Sequence, residues 1–244
     1  MRKAIAGLLT MFFLYQSLLG GYKILNLNKQ QSLNAVIEEV TDPADIIFFR
    51  GEIVTRSTYN IYKQTQGTLF EPAKYLNMGY VIDIFQKRIQ SGSKHIVFVI
   101  NSGGGNTEPT ERLIKLIRES KAVGVKITCI ANGMVASSAM MLMSECSNRF
   151  AVFGSGFVWH SVYFSFGGNV SSRLLYGLIN QLETSNTKYW AETRKYFFPD
   201  YFIENFEQES YISAVEIQQE SFGYLKQIVT LNELPEIFLK KVSK

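Results

Sequence analysis

The apolar positions of the chain fall into two kinds of run. "HIVFVI" (95–100) is continuously apolar, and a run of that length bounded by polar residues predicts a strand buried on both faces. "DIIFFRGEIV" (45–54) and "VKITCIA" (125–131) predict two more strands, the first ending at Gly51 and a charge. Between them the spacing becomes helical. Tyr75, Leu76, Met78, Val81, Ile82, Ile84 and Phe85 predict one helix that stops near Ser91–Gly92, and "ERLIKLIRES" (111–120) predicts another. "SSAMMLMSE" predicts a short helix, and "RFAVFGSGFVWH" (149–160) two short strands around Gly154–Ser155–Gly156. A long amphipathic helix is expected over 169–197, short helices over "FIENFEQESYISAVEIQQ", and a last strand at "YLKQIV". Strands that alternate with helices, with uniformly apolar central strands, define an α/β class with a mainly parallel sheet and β-α-β crossovers.

Composition adds boundaries to this pattern. The chain has 244 residues, 46% hydrophobic and 19% charged, enough for one packed domain. The net charge of +4 is spread along the chain without a basic stripe, so no nucleic-acid partner is expected. "MRK" followed by the apolar run from Ala4 to Gly21 has the form of a secretory signal or a membrane anchor. The expected organisation is therefore a signal or anchor at 1–21, a polar linker at 22–44 and a folded domain at 45–244. Export to the periplasm, or anchoring in the membrane through residues 4–21, is the expected location. The alternative is a cytoplasmic protein whose N-terminus forms a buried helix. Cys129 and Cys146 form no C-x-x-C, which removes zinc-ribbon and thioredoxin-like chemistry. They are expected as two buried free thiols, with a disulfide as the alternative in an exported chain. No metal and no cofactor is implied.

Chemistry in parallel sheets gathers at the carboxyl ends of strands. Two such ends stand out. "INSGGG" (100–105) places three glycines after a buried strand, where backbone N–H groups can face an anion. "ANGMVASSAMM" places Ser137 and Ser138 where a helix begins. A serine there ordinarily caps the helix by accepting a backbone hydrogen bond. As a nucleophile it would gain from the helix N-terminus and from the N–H of the next residue. It would also need a base, and the chain has 2 histidines. His95 starts a strand at the amino end of the sheet. His160 ends the strand "FVWH", where it could face the serine.

Taken together, these segments resemble the ClpP-type serine peptidases of the ClpP/crotonase superfamily over roughly residues 45 to 230. "IIFFRGEI" is similar to the first family strand, and "INSGGG" to I-N-S-P-G-G, with Gly103 in the proline position. "GMVASSA" resembles G-x-A-A-S-M-G, which puts the nucleophile on Ser137, with Ser138 in place of methionine. "FVWHSV" is similar to the strand bearing the family histidine. "EQESYISAVEIQQESFGYLKQIV" resembles the closing segment with E-R-D-x-F-x-S-A-x-E-A, which puts the acid on Glu209.

The resemblance implies a ClpP/crotonase-like fold with a long helix after the histidine. It implies a serine endopeptidase with the triad Ser137, His160 and Glu209 and an oxyanion hole from the N–H groups of Gly105 and Ser138. Peptides or unfolded proteins would bind beside the glycine segment, with backbone contacts near Gly104 and Asn106. A homo-oligomer built through the long helix is implied as well. Three alternatives stand beside this reading: a catalytically inactive peptide-binding or scaffold relative, a Ser-Lys dyad using Lys188 or Lys195, and an acyl-CoA enzyme.

Overall fold

A computed structural model of the protein describes residues 45–66, 71–162 and 171–230. The candidate signal or anchor and the linker, residues 1–44, lie outside the described residues. No helix among the described residues is long and apolar enough to cross a membrane.

The centre is a parallel sheet of β1 (Asp45–Arg50), β4 (His95–Ser102), β5 (Lys126–Ala136), β6 (Asn148–Val152) and β9 (Gln227–Val229), in the order β1-β4-β5-β6-β9. Strand β5 is long enough to serve two neighbours. Its first half pairs with β6, Thr128 to Ala131 opposite Asn148 to Ala151. Its second half pairs with β7 (Gly156–Val158), which in turn pairs antiparallel with β8 (Ile212–Ser213). This α/β architecture with a mainly parallel sheet is what the alternation of runs predicts. Strand β4 explains the strength of that signal: Ile96 to Ile100 are all buried, so no polar residue is tolerated there.

The crossovers are α2 (Met78–Gln90) and α3 (Thr107–Ala122), and the short α4 (Ser138–Ser144) follows β5. Helix α3 packs against α2 and α4, and α4 against α5 (Ser172–Arg194). Every residue of α4 is buried, which accounts for its run of Met and Leu. Phe98 lies between Phe85, stacked at 5.9 Å, and Phe49, edge-on at 6.4 Å. A second aromatic cluster joins Trp159, Phe197 and Phe202, with Trp159 and Phe202 stacked at 5.3 Å. Phe202 comes from α6 (Pro199–Glu207), which precedes β8 and α7 (Ala214–Glu220).

Three expectations are corrected. First, the segment 45–54 is not one strand. Gly51 has φ 91°, so the chain turns there, and β2 (Glu52–Val54) leaves to pair with β3 (Tyr75–Asn77) in a separate sheet. Second, Tyr75 and Leu76 belong to β3 and not to the following helix, which the Asn77 side chain starts by accepting from Tyr80 N–H. Helix α1 (Arg56–Gln66) and a 3-10 turn at Pro72–Lys74 fill the long first crossover. Third, Cys129 and Cys146 are not free thiols but a disulfide, with Cα atoms 5.8 Å apart and both residues buried.

Candidate active site

Strand β5 ends at Ala136 and α4 begins at Ser138, so the whole change of direction falls on Ser137. Its backbone has φ 54° and ψ −129°, a conformation that residues with a Cβ rarely adopt. Such a residue costs on the order of 1–3 kcal/mol and persists only where its surroundings fix it. They do so here. Ser137 N–H donates to Val158 O at 3.0 Å, and Ser137 O accepts from Met140 N–H at 2.9 Å and Met141 N–H at 3.2 Å. The side chain makes no capping hydrogen bond. Ser137 therefore holds the capping position without performing the usual capping function, and its hydroxyl is left at the edge of a cleft.

The strand end behind it is braced by polar side chains. Register between β4 and β5 shifts between Ile100 and Ser102. Across that irregularity Asn101 Oδ1 accepts from Met134 N–H at 3.3 Å. Ser155 Oγ accepts from Gly133 N–H at 3.2 Å and donates to Ala131 O at 3.1 Å. These residues are scattered in sequence, and nothing in their local pattern announces them.

The glycine segment crosses directly over Ser137. Ser102 Oγ donates to Gly51 O at 2.5 Å and accepts from Gly104 N–H at 3.1 Å, which fixes the first turn of the loop. Ile53 N–H then donates to Gly104 O at 2.8 Å, and Asn106 N–H donates to Ile53 O at 2.9 Å. The Asn106 side chain starts α3 by accepting from Glu108 N–H at 3.0 Å. Both residues expected near substrate line the cleft, but their backbone groups on this edge are already paired with β2. Gly105 lies between them, bridged to Ile53, and neither its N–H nor its C=O bonds to β2. Ser138 is fully buried, and its Oγ donates to Gly105 O at 3.1 Å. Among the described residues, the N–H groups of Gly105 and Ser138 donate to no protein acceptor.

His160 lies two residues beyond β7 rather than within it. Its carbonyl accepts from Trp190 Nε1 at 3.1 Å, and Val162 N–H donates to Asn186 Oδ1 at 2.8 Å, so α5 holds this segment in place. His160 Nδ1 is 2.6 Å from Ser161 O. A carbonyl only accepts, so Nδ1 carries the proton and Nε2 is the basic ring nitrogen. Ser137, His160 and Gly103 to Asn106 line one cleft of about 1170 Å³, together with Met134, Met141 and Trp190.

Glu209 is exposed and is not part of the cleft wall. It closes α6 in the left-handed conformation, φ 51°, with Ser210 N–H donating to Asn205 O at 3.0 Å and Glu209 N–H to Phe206 O at 3.4 Å. That is the paired-bond pattern which ends many helices, with glutamate where glycine is usual. The two lysines considered as bases are engaged elsewhere. Lys188 Nζ lies 2.8 Å from Glu111, and this hydrogen bond raises its pKa above the usual lysine value. Lys195 is paired with Glu192 at 2.7 Å and is raised for the same reason. A general base needs the opposite shift. His95 donates to or accepts from Thr128 Oγ1 at 2.9 Å through Nε2, at the amino end of the sheet.

No protein-family model matches the chain, and no curated protein matches it.

Proposed function

We propose that this protein is a serine-type endopeptidase with the ClpP/crotonase-like fold, in which Ser137 attacks the peptide carbonyl and His160 Nε2 takes its proton. The observation that carries the reading is the backbone of Ser137. A strained serine between a strand and a buried helix, with its hydroxyl uncommitted to capping, fits a nucleophile better than a structural residue. Support comes from its company: a histidine on the same cleft with a defined basic nitrogen, and the N–H groups of cleft-lining Gly105 and of Ser138 behind it, which among the described residues have no protein acceptor. In this reading those N–H groups, from Gly105 and Ser138, hold the tetrahedral oxyanion. Imidazolium then returns the proton to the leaving amine, and water repeats the sequence to release the acyl group. Glu209 enters through the sequence resemblance alone, and Ser161 O already supplies an acceptor for Nδ1.

A peptide or unfolded chain would lie in the cleft lined by Gly103 to Asn106, without pairing to Gly104 O or Asn106 N–H, which β2 occupies. Export or membrane anchoring is proposed with it. The buried disulfide supports that location, because such bonds persist in oxidising compartments. Self-association is also proposed, through the first half of α5, where Leu174, Leu175, Tyr176 and Ile179 are exposed. Sedimentation of the Leu175→Glu variant against wild type tests this, and a wild-type monomer would overturn it.

The reading as a whole is tested by reacting the purified full chain with a fluorophosphonate and mapping the adduct by mass spectrometry. An adduct on Ser137 that is lost in His160→Ala is expected. No adduct in folded protein would shift the reading to a peptide-binding or scaffold protein.

A further inference from the structure

The two N–H groups of the proposed oxyanion hole come from segments more than thirty residues apart, and something must fix their separation. Gly105 is held on one side by β2, through Gly104 O and Asn106 N–H, both bonded to Ile53. A Cβ on Gly105 would overlap the Ile53 backbone, so the approach is as close as the chain permits. On the other side its carbonyl receives the hydroxyl of Ser138, at 3.1 Å. Gly105 N–H, the other proposed donor, makes no hydrogen bond to β2. Ser138 thus contributes twice: its backbone N–H is one proposed donor, and its side chain binds the residue that carries the other.

Resting on the hydrolase reading above, we infer that the Ser138 hydroxyl is a positioning group that sets the distance between the two oxyanion donors. Ser138 is fully buried whereas Gly105 is exposed, so when the hydroxyl is removed water can satisfy the Gly105 carbonyl but does not anchor it to α4. Without it the Gly105 peptide is anchored from the β2 side only, and a donor is effective only when it lies within hydrogen-bond distance of the developing charge. The consequence falls on the chemical step.

The test is the reaction of full-length Ser138→Ala and Ser138→Thr with a fluorophosphonate, resolved into the limiting rate kinact and the half-saturating concentration KI across pH 6–9. For the alanine variant, kinact is expected to fall by about 10- to 100-fold, less than for outright loss of a donor. Its KI and the shape of its pH profile should stay as in wild type, and threonine should restore most of the rate. Rates are taken per titrated active site, which separates mispositioning from partial unfolding. Equal kinact in Ser138→Ala and wild type would overturn the positioning role and leave the hydrolase reading intact. So would a loss that appears in the number of active sites and not in their rate. Should threonine not fold, Ser138→Cys, which keeps a weak donor, is expected to fall between serine and alanine, and a rate no better than alanine counts against the role. A wild-type protein that takes no label at Ser137 would instead sink the underlying reading.

Discussion

Gly104 passes so close to Ser137 that a methyl group on Gly104 would stand 2.5 Å from the Ser137 Cβ and 2.7 Å from Ala136 O. Gly104 also has φ 90°, a region that side chains disfavour. The glycine is required on both counts, by its own backbone and by the strand turn beneath it. Gly104→Ala is therefore expected to destabilise the fold by roughly 1–3 kcal/mol. It should also slow Ser137 labelling, because the relief available is displacement of the serine. Urea unfolding and the labelling rate check this together. Gly103, with open space around its Cα, is the control, and Gly103→Ala should change neither.

Glu209 separates two roles that the sequence cannot distinguish. As a left-handed helix terminus it should be improved by glycine, and Glu209→Gly is expected to gain about 1 kcal/mol in stability. Labelling of Ser137 should remain within a few-fold of wild type in both Glu209→Gly and Glu209→Gln, because Ser161 O already holds Nδ1. A fall of about 10⁴-fold, the scale seen when a triad acid is made neutral, would place Glu209 in the triad instead.

The disulfide encloses the strand end, Ser137 and all of α4, at a sequence separation of 17. Closing a loop of this length stabilises by about 3 kcal/mol through the unfolded chain. The double variant Cys129→Ala/Cys146→Ala is expected to lose at least that much in denaturant unfolding. Because both cysteines are buried, mild reductant should act on the native protein only at the rate of its opening. Rapid reduction without unfolding would contradict the structure.

Alkaline pH should unfold the protein through its buried tyrosines. Burial raises the Tyr224 pKa well above the ordinary 10, the hydroxyl lying within hydrogen-bond distance of Ser144 Oγ at 3.0 Å. Tyr201 is raised by burial and then by its hydrogen bond to Glu216. The unfolded chain loses these protons near pH 10 while the native protein keeps them, so stability is full below pH 10 and declines above it. Urea midpoints measured from pH 8 to 11.5 should be level up to about pH 10 and then fall. A flat profile to pH 11.5 would show that these tyrosines ionise in the fold.

Sequence alone determined the class of this fold because its central strands are buried on both faces. Burial leaves no choice of residue from Ile96 to Ile100, so the strand is visible in the composition of that run. That Ser137 and His160 line one cleft was likewise legible, through two strand ends and a short supply of histidines. Tertiary structure decided what local pattern does not encode. Whether 45–54 is one strand or two depends on Gly51, where a left-handed φ and the close approach of the Lys74 backbone both call for a residue without a side chain. Tyr75 and Leu76 fit a helical spacing, yet pairing with β2 draws them into a strand. The disulfide depended on the distance between β5 and the end of α4, which spacing does not give. The bond from Ser138 to Gly105 joins loops of different strands. Periodicity reports the face a residue buries, whereas contacts between separate strand ends are set only when the whole sheet has assembled.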